Sequence, residues 1–194
     1  MLCCGYKVFA VEPNGDMRRK AEETLSGNKN FISVNGRDSR MNLPDRSADH
    51  ITAAQAYHWF DSGAFRKECG RVLKPGGKVM LVYNSREESA DCTKALAKRR
   101  KKYDPDFRGF SNGMSEEKCI AFFEERCDVF RADNPQVYDL ESYVNLILSS
   151  SYSLEKSDSR YAEYLEGIRK IFDACSADGC IAVPTATVAY IGEV

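Results

Sequence analysis
Short apolar runs alternate with helical spacing through the first half of the chain. Val8, Phe9, Ala10 and Val11 are a continuous apolar run that ends on Glu12, and Pro13, Asn14 and Gly15 follow as breakers. The pattern predicts a strand over 7–12 and a helix over 16–25, with Met17, Ala21 and Leu25 on one face at a spacing of four. Ser26 and Gly27 close that helix. Further strands are predicted over 31–34 and 50–54, with a short helix near 56–60. Asp61 or Ser62 can cap a helix on which Phe65, Cys69, Val72 and Leu73 share a side. Pro75-Gly76-Gly77 reads as a turn, and 78–83 as a strand. Strands alternating with helices imply an α/β fold, a parallel sheet covered on both faces.

The second half reads as more helical. Helices are predicted over 86–102, 115–126, 139–148 and 158–175, separated by a loop over 104–113 and a strand over 127–132. The clearest is 158–175, where Tyr161, Tyr164, Leu165, Ile168, Ile171 and Phe172 recur at three and four. A last strand is expected over 180–191, demoted in its middle by Pro184. With no repeat or linker in view, the 194 residues read as one domain, 1–194, with helical segments over 86–126 and 139–176 between its late strands.

Composition changes this picture little. A hydrophobic share of 43% argues against disorder, and a net charge of −1 argues against a nucleic-acid or anionic-membrane partner. No apolar run is long enough to span a membrane. Eight cysteines without a C-x-x-C pair, and only two histidines, give a zinc site little support and suit free thiols in a cytoplasmic protein. The basic run 98–102 reads as a solvated helix end rather than a nucleic-acid contact, because no aromatic ladder accompanies it.

The carboxylate that ends the first strand is the candidate chemistry. Ligands of an open parallel sheet bind beyond the carboxyl ends of its strands, and an acid there can accept both hydroxyls of a ribose. Glu12 fits that role, or else caps the next helix or meets solvent. Met17, in the first helical turn, either lies against an adenine ring or packs in the core. Asp38, after the second strand, either accepts from an adenine amino group or is an ordinary turn residue. Past the third strand, Gln55-Ala56-Tyr57-His58-Trp59-Phe60 brings aromatic side chains and a histidine to another strand end, as a pocket wall or as a cap on the following helix. Ser149-Ser150-Ser151-Tyr152 reads as a polar loop that could also meet a substrate.

Three stretches in this order, VFAVEPNGDMRRKAEE, GRDSRMNLPDRSADHITAAQAYHWF and GRVLKPGGKVMLVYN, resemble class I S-adenosylmethionine-dependent methyltransferases, in particular the small-molecule branch called type 11. The resemblance covers roughly 8–84. It implies a doubly wound Rossmann-like sheet whose last strand is antiparallel, S-adenosyl-L-methionine as cofactor and a small molecule as methyl acceptor. By position it assigns Glu12 to the ribose, Met17 to the adenine face, Asp38 to the adenine amino group, and Ala54 and Gln55 to the methionine end. Tyr57, His58 and Trp59 then belong to the substrate pocket, with His58 as base if the acceptor is a hydroxyl.

The family pattern also opens with a strand and a glycine-rich loop, about D-x-G-x-G-x-G, ahead of the strand that ends on the acid. MLCCGY holds neither. The resemblance therefore implies an N-terminally truncated sheet lacking a central strand, and impaired cofactor binding. Three outcomes are open: the flanking strands close up, a second chain fills the gap by self-association, or the chain is a fragment of a longer protein, which is the expectation favoured here. Two rival readings remain: a non-catalytic, degenerate methyltransferase fold that binds a partner, and a nicotinamide-dependent oxidoreductase, which would need a glycine fingerprint of its own.

Overall fold
The first strand passes into the first helix through Asn14. Its side-chain oxygen accepts from the amides of Asp16 and Met17 at 2.9 and 3.1 Å, covering two of the orphan donors of a new helix. In the computed structural model, which describes residues 1–110, 114–150 and 153–194, β1 spans Val8–Val11 and α1 spans Gly15–Leu25. Strand β2 (Phe31–Val34) lies parallel to β1, pairing Val8 with Phe31 and Val11 with Val34. A parallel pair needs a crossover, and α1 supplies it.

Strand β3 (Ala48–Ala54) leads through a short 3-10 turn at Tyr57–Trp59 into α2 (Ser62–Val72), whose cap is Asp61. The long strand β4 (Leu73–Arg86) follows directly. The turn expected at Pro75-Gly76-Gly77 is thus a correction: those residues lie inside β4. Gly76 has φ +77, which glycine adopts without cost, so the strand kinks there instead of ending. A Cβ on Gly77 would stand 2.8 Å from the Asp49 carbonyl oxygen, a close backbone approach between β4 and β3 that only glycine allows.

The later elements are α3 (Asp91–Tyr103), α4 (Glu116–Phe122), β5 (Cys127–Asp133), β6 (Gln136–Tyr138), α5 (Leu140–Leu148), α6 (Tyr161–Cys175), β7 (Ile181–Val183) and β8 (Thr185–Gly192). Most match the expected elements with moved ends. The single last strand is two: Pro184, which cannot donate to a ladder, separates β7 from β8. β7 pairs antiparallel with β6, a strand the sequence pattern did not reveal. The described strands form three sheets: β1-β2, β3-β4-β8-β5 and β6-β7. β1 and β3 are therefore each an edge among the described strands, and they do not close on each other.

The described chain groups into two compact units. The first contains Met1–Leu81, Glu117–Asp128 and Tyr190–Val194. Its core gathers Phe65, Cys69 and Val72 from α2, Val79 and Leu81 from β4, and Phe122 and Phe123. The β1–α1–β2 part contributes little to it: every residue of both strands is half-buried and no residue of α1 is buried. An all-apolar strand such as Val8–Val11 is the kind usually covered on both faces, so this exposure is unusual.

The second unit contains Val82–Glu116 and Val129–Ala189. Its core packs Leu96 of α3, Tyr143 and Ile147 of α5, Ile168 and Phe172 of α6, and Ile181 of β7. The basic run 98–102 is not simply solvated, which corrects the sequence reading. Arg100 is buried and donates to the Ser150 hydroxyl. Arg99 lies across α6 at Gly167, where any side chain would overlap the guanidinium, and Lys102 pairs with Glu163. Among the described residues no helix is long and apolar enough to cross a membrane.

Candidate functional site
Where β1 and β2 end, the backbone ladder continues one residue further, because the Glu12 amide donates to the Val34 carbonyl at 3.1 Å. The Glu12 carboxylate therefore sits on the rim of the pair. One of its oxygens accepts from the Asn14 amide at 2.8 Å, which fixes the side chain over the strand end. It does not cap α1; Asn14 does. Arg18 joins the two strand ends. Its guanidinium donates to the carbonyls of Glu12 and Pro13 at 2.9 and 3.1 Å and to Asn35 Oδ1 at 3.1 Å. Sequence reasoning passed over Arg18, yet a signal existed: a cation near the start of a helix opposes the helix dipole and needs another reason to be there.

Met17 is 62% exposed, so it does not pack in the core and leaves an apolar side chain open beside the rim. Asp38 occupies a tight turn closed by two hydrogen bonds between Arg37 and Arg40, both 3.0 Å. The loop carrying it folds back on the end of β2. Asn42 donates its side-chain amide to the Asn35 carbonyl at 2.6 Å. Gly36 is buried against Met41, where a Cβ would meet the carbonyl oxygen at 2.7 Å. Glu12 and Met17 thus share Asn14 as a hydrogen-bond partner at the end of β1, Arg18 and Asn42 bond to Asn35 at the end of β2, and Asp38 lies in the loop that follows.

The remaining candidates follow β3. Ala54 and Gln55 are exposed, and Gln55 has φ +52, so the chain reverses sharply as it leaves the strand. Tyr57 is a core residue: its ring lies 5.1 Å from Phe122 and 6.1 Å from Phe65, and its hydroxyl bonds Ser62 Oγ at 2.8 Å. It braces the turn from behind instead of facing outward. The His58 and Trp59 rings lie 4.8 Å apart, tilted 45° to each other, with Trp59 74% exposed. Burial lowers the His58 pKa below the ordinary imidazole value, which favours the neutral ring that a base requires. These residues stand on the four-stranded sheet, separate from the β1–β2 pair. Ser151 and Tyr152, with 111–113 of the expected loop, lie outside the described residues.

Known proteins decide the family. A model described as "Methyltransferase domain" matches residues 1–81. An uncharacterized methyltransferase of Schizosaccharomyces pombe is 31% identical over 174 residues, covering 85% of this chain and 68% of that protein. The chain belongs to the class I S-adenosylmethionine-dependent methyltransferases. An uncharacterized methyltransferase of Mycobacterium tuberculosis is 36% identical over 84 residues, so this methyltransferase chain matches about a third (33%) of that protein's length. Among solved structures, a type II methyltransferase from Anaeromyxobacter dehalogenans superposes with a TM-score of 0.66 at 16% identity, covering 96% of this chain and 80% of that one. A methyltransferase from Bacillus halodurans follows with a TM-score of 0.56 and 17% identity. These likenesses support the Rossmann-like methyltransferase fold.

The family cofactor is S-adenosyl-L-methionine, and the residues present fit its adenosine half. A carboxylate on the rim suits a ribose diol, and Met17 offers an apolar surface for a purine.

Proposed function
We propose that this chain is the adenosine-binding and acceptor-facing part of a small-molecule methyltransferase. Glu12 accepts the ribose hydroxyls, Met17 lies on the adenine face and Asp38 accepts from the adenine amino group. Ala54 and Gln55 border the methionine end. His58 and Trp59, braced by Tyr57, line the acceptor pocket, with His58 positioned to take a proton from a hydroxyl acceptor. The observation carrying this reading is the Glu12 carboxylate held on the rim of a parallel strand pair by the Asn14 amide. The bound cofactor supplies an activated methyl group on its sulfonium. The protein's part is to hold the acceptor in line with that methyl and to keep water out.

Cofactor affinity in this chain is weak by the same reasoning. Among the described residues no strand pairs β1 or β3 on its open side, and the β1–β2 pair is only half-buried. A strand from a preceding segment of a longer protein, or from a second copy, would restore both. The open edges also support a second reading, a methyltransferase fold that binds a protein partner and does no chemistry.

Titration calorimetry with S-adenosylhomocysteine tests the first reading. Glu12→Gln removes charge-assisted acceptance of the ribose, worth about 1.5–3 kcal/mol, and should weaken binding about tenfold or more with little change in thermal stability. Unchanged affinity in that variant overturns the ribose assignment. Absence of binding by the wild-type chain at millimolar ligand favours the non-catalytic reading.

A further inference from the structure
The loop between β2 and β3 carries Asp38, yet it is held from outside, by α2. Glu68 stands on the apolar side of that helix, in line with Phe65, Cys69 and Val72, and is only 8% exposed. Its Oε1 accepts from the buried Met41 amide at 2.7 Å and from Arg71 Nη2 at 2.6 Å, while its Oε2 accepts from Arg71 Nε at 2.9 Å. Arg71 then reaches the far side of the loop, donating Nη1 to the Leu43 carbonyl at 2.9 Å and to Asp45 Oδ1 at 2.6 Å. The end of α2 completes the attachment, since the amides of Arg46 and Ser47 donate to the carbonyls of Arg71 and Val72 at 2.9 and 2.8 Å. One carboxylate and one guanidinium thus fix the loop at Met41, Leu43 and Asp45.

We propose that Glu68 and Arg71 are positioning residues for adenine recognition: they set the conformation of the 36–47 loop and so the place of Asp38. This rests on the adenosine reading of the site. A burial-driven role alone would not need this geometry. A buried acid is costly unless fully hydrogen-bonded, and here its bonds run to the loop backbone and to the arginine that grips the same loop. Gly36 adds a second constraint on the same loop: with Met41 where Glu68 holds it, a Cβ on Gly36 would stand 2.7 Å from the Met41 carbonyl oxygen.

The test compares wild type with Glu68→Gln in two measurements. In hydrogen exchange, amides across 40–47 should exchange about tenfold faster or more, because the amide nitrogen that replaces Oε2 donates and cannot accept from Arg71 Nε, and the negative charge that holds the guanidinium is lost. In calorimetry, wild type should favour S-adenosylhomocysteine over its inosine analogue, which lacks the amino donor, by about tenfold. Glu68→Gln should reduce that preference to within about twofold, a change that general destabilisation would not produce. Arg71→Lys keeps a cation but loses the fork to Leu43 and Asp45, and should act in the same direction if Glu68→Gln does not fold. A wild type that discriminates while both variants keep its full preference, or unchanged exchange across 40–47, overturns the positioning role. A wild type that binds neither nucleoside, or both equally, overturns the adenine reading and the positioning role with it.

Discussion

Substituting Gly36 by alanine measures how tightly the adenine-side loop is built. The added Cβ would stand 2.7 Å from the Met41 carbonyl oxygen, 2.9 Å from its carbonyl carbon and 3.0 Å from the Arg40 carbonyl oxygen. All three are backbone atoms, so no side-chain rotation relieves the contact. Nor can Met41 retreat cheaply, because Glu68 holds its amide at 2.7 Å and the residue is 5% exposed. Overpacking of this kind costs about 1–3 kcal/mol. For a chain of this length each kcal/mol lowers Tm by about 2–4 °C, so the expected drop is about 2–12 °C. Gly27→Ala is the internal control: that position has open space around it, and the change should cost nothing or stabilise by about 0.4–1 kcal/mol. Urea and thermal unfolding of both variants provide the assay. Equal stability of Gly36→Ala and wild type, to within about 0.5 kcal/mol, would refute the rigid-loop argument.

Other outcomes follow from the same structure. Burial keeps His58 neutral, so its folded pKa lies below its unfolded one and the unfolded chain takes up a proton first as pH falls. Stability should therefore decline as pH drops through the ordinary imidazole range, and His58→Gln should flatten that decline in unfolding titrations; identical slopes would contradict it. Ile168, fully buried in the second unit's core, should cost about 2–5 kcal/mol when replaced by alanine, measured by urea unfolding, and a loss under about 1 kcal/mol would mean the α6 face is poorly packed. Burial drives the Cys69 thiol pKa far up, whereas Cys3 and Cys4 are exposed. Iodoacetamide with mass-spectrometric mapping should label Cys3 and Cys4 well before Cys69, and early labelling of Cys69 would show that the α2 core opens.

Local chemistry fixed much of this protein in advance. Alternation of apolar runs with helical spacing located β1, β2, α2 and α6 to within a few residues, because each pattern depends on near neighbours along the chain. Asn14 and Asp61 show the limit of that reasoning: both helix starts were legible, but only the hydrogen bonds revealed Asn14, not Glu12, as the cap of α1. The family motif and Glu12 at a strand end were likewise readable, since a carboxylate closing an apolar run is anomalous by itself. Tertiary structure decided the rest. Tyr57 and Trp59 are both aromatic residues of one short turn, yet one is buried against Phe122 and the other stands in solvent, a difference set by a helix more than 50 residues away. Glu68 lies among the apolar residues of α2 only because Met41 and Arg71, brought there by the fold, supply its partners. β6 was too short to show a pattern, and Pro184 divided one expected strand because its missing N–H matters only once a ladder exists. Periodicity predicts which face of an element turns inward; what meets that face depends on contacts distant in sequence, which one chain read residue by residue does not encode locally.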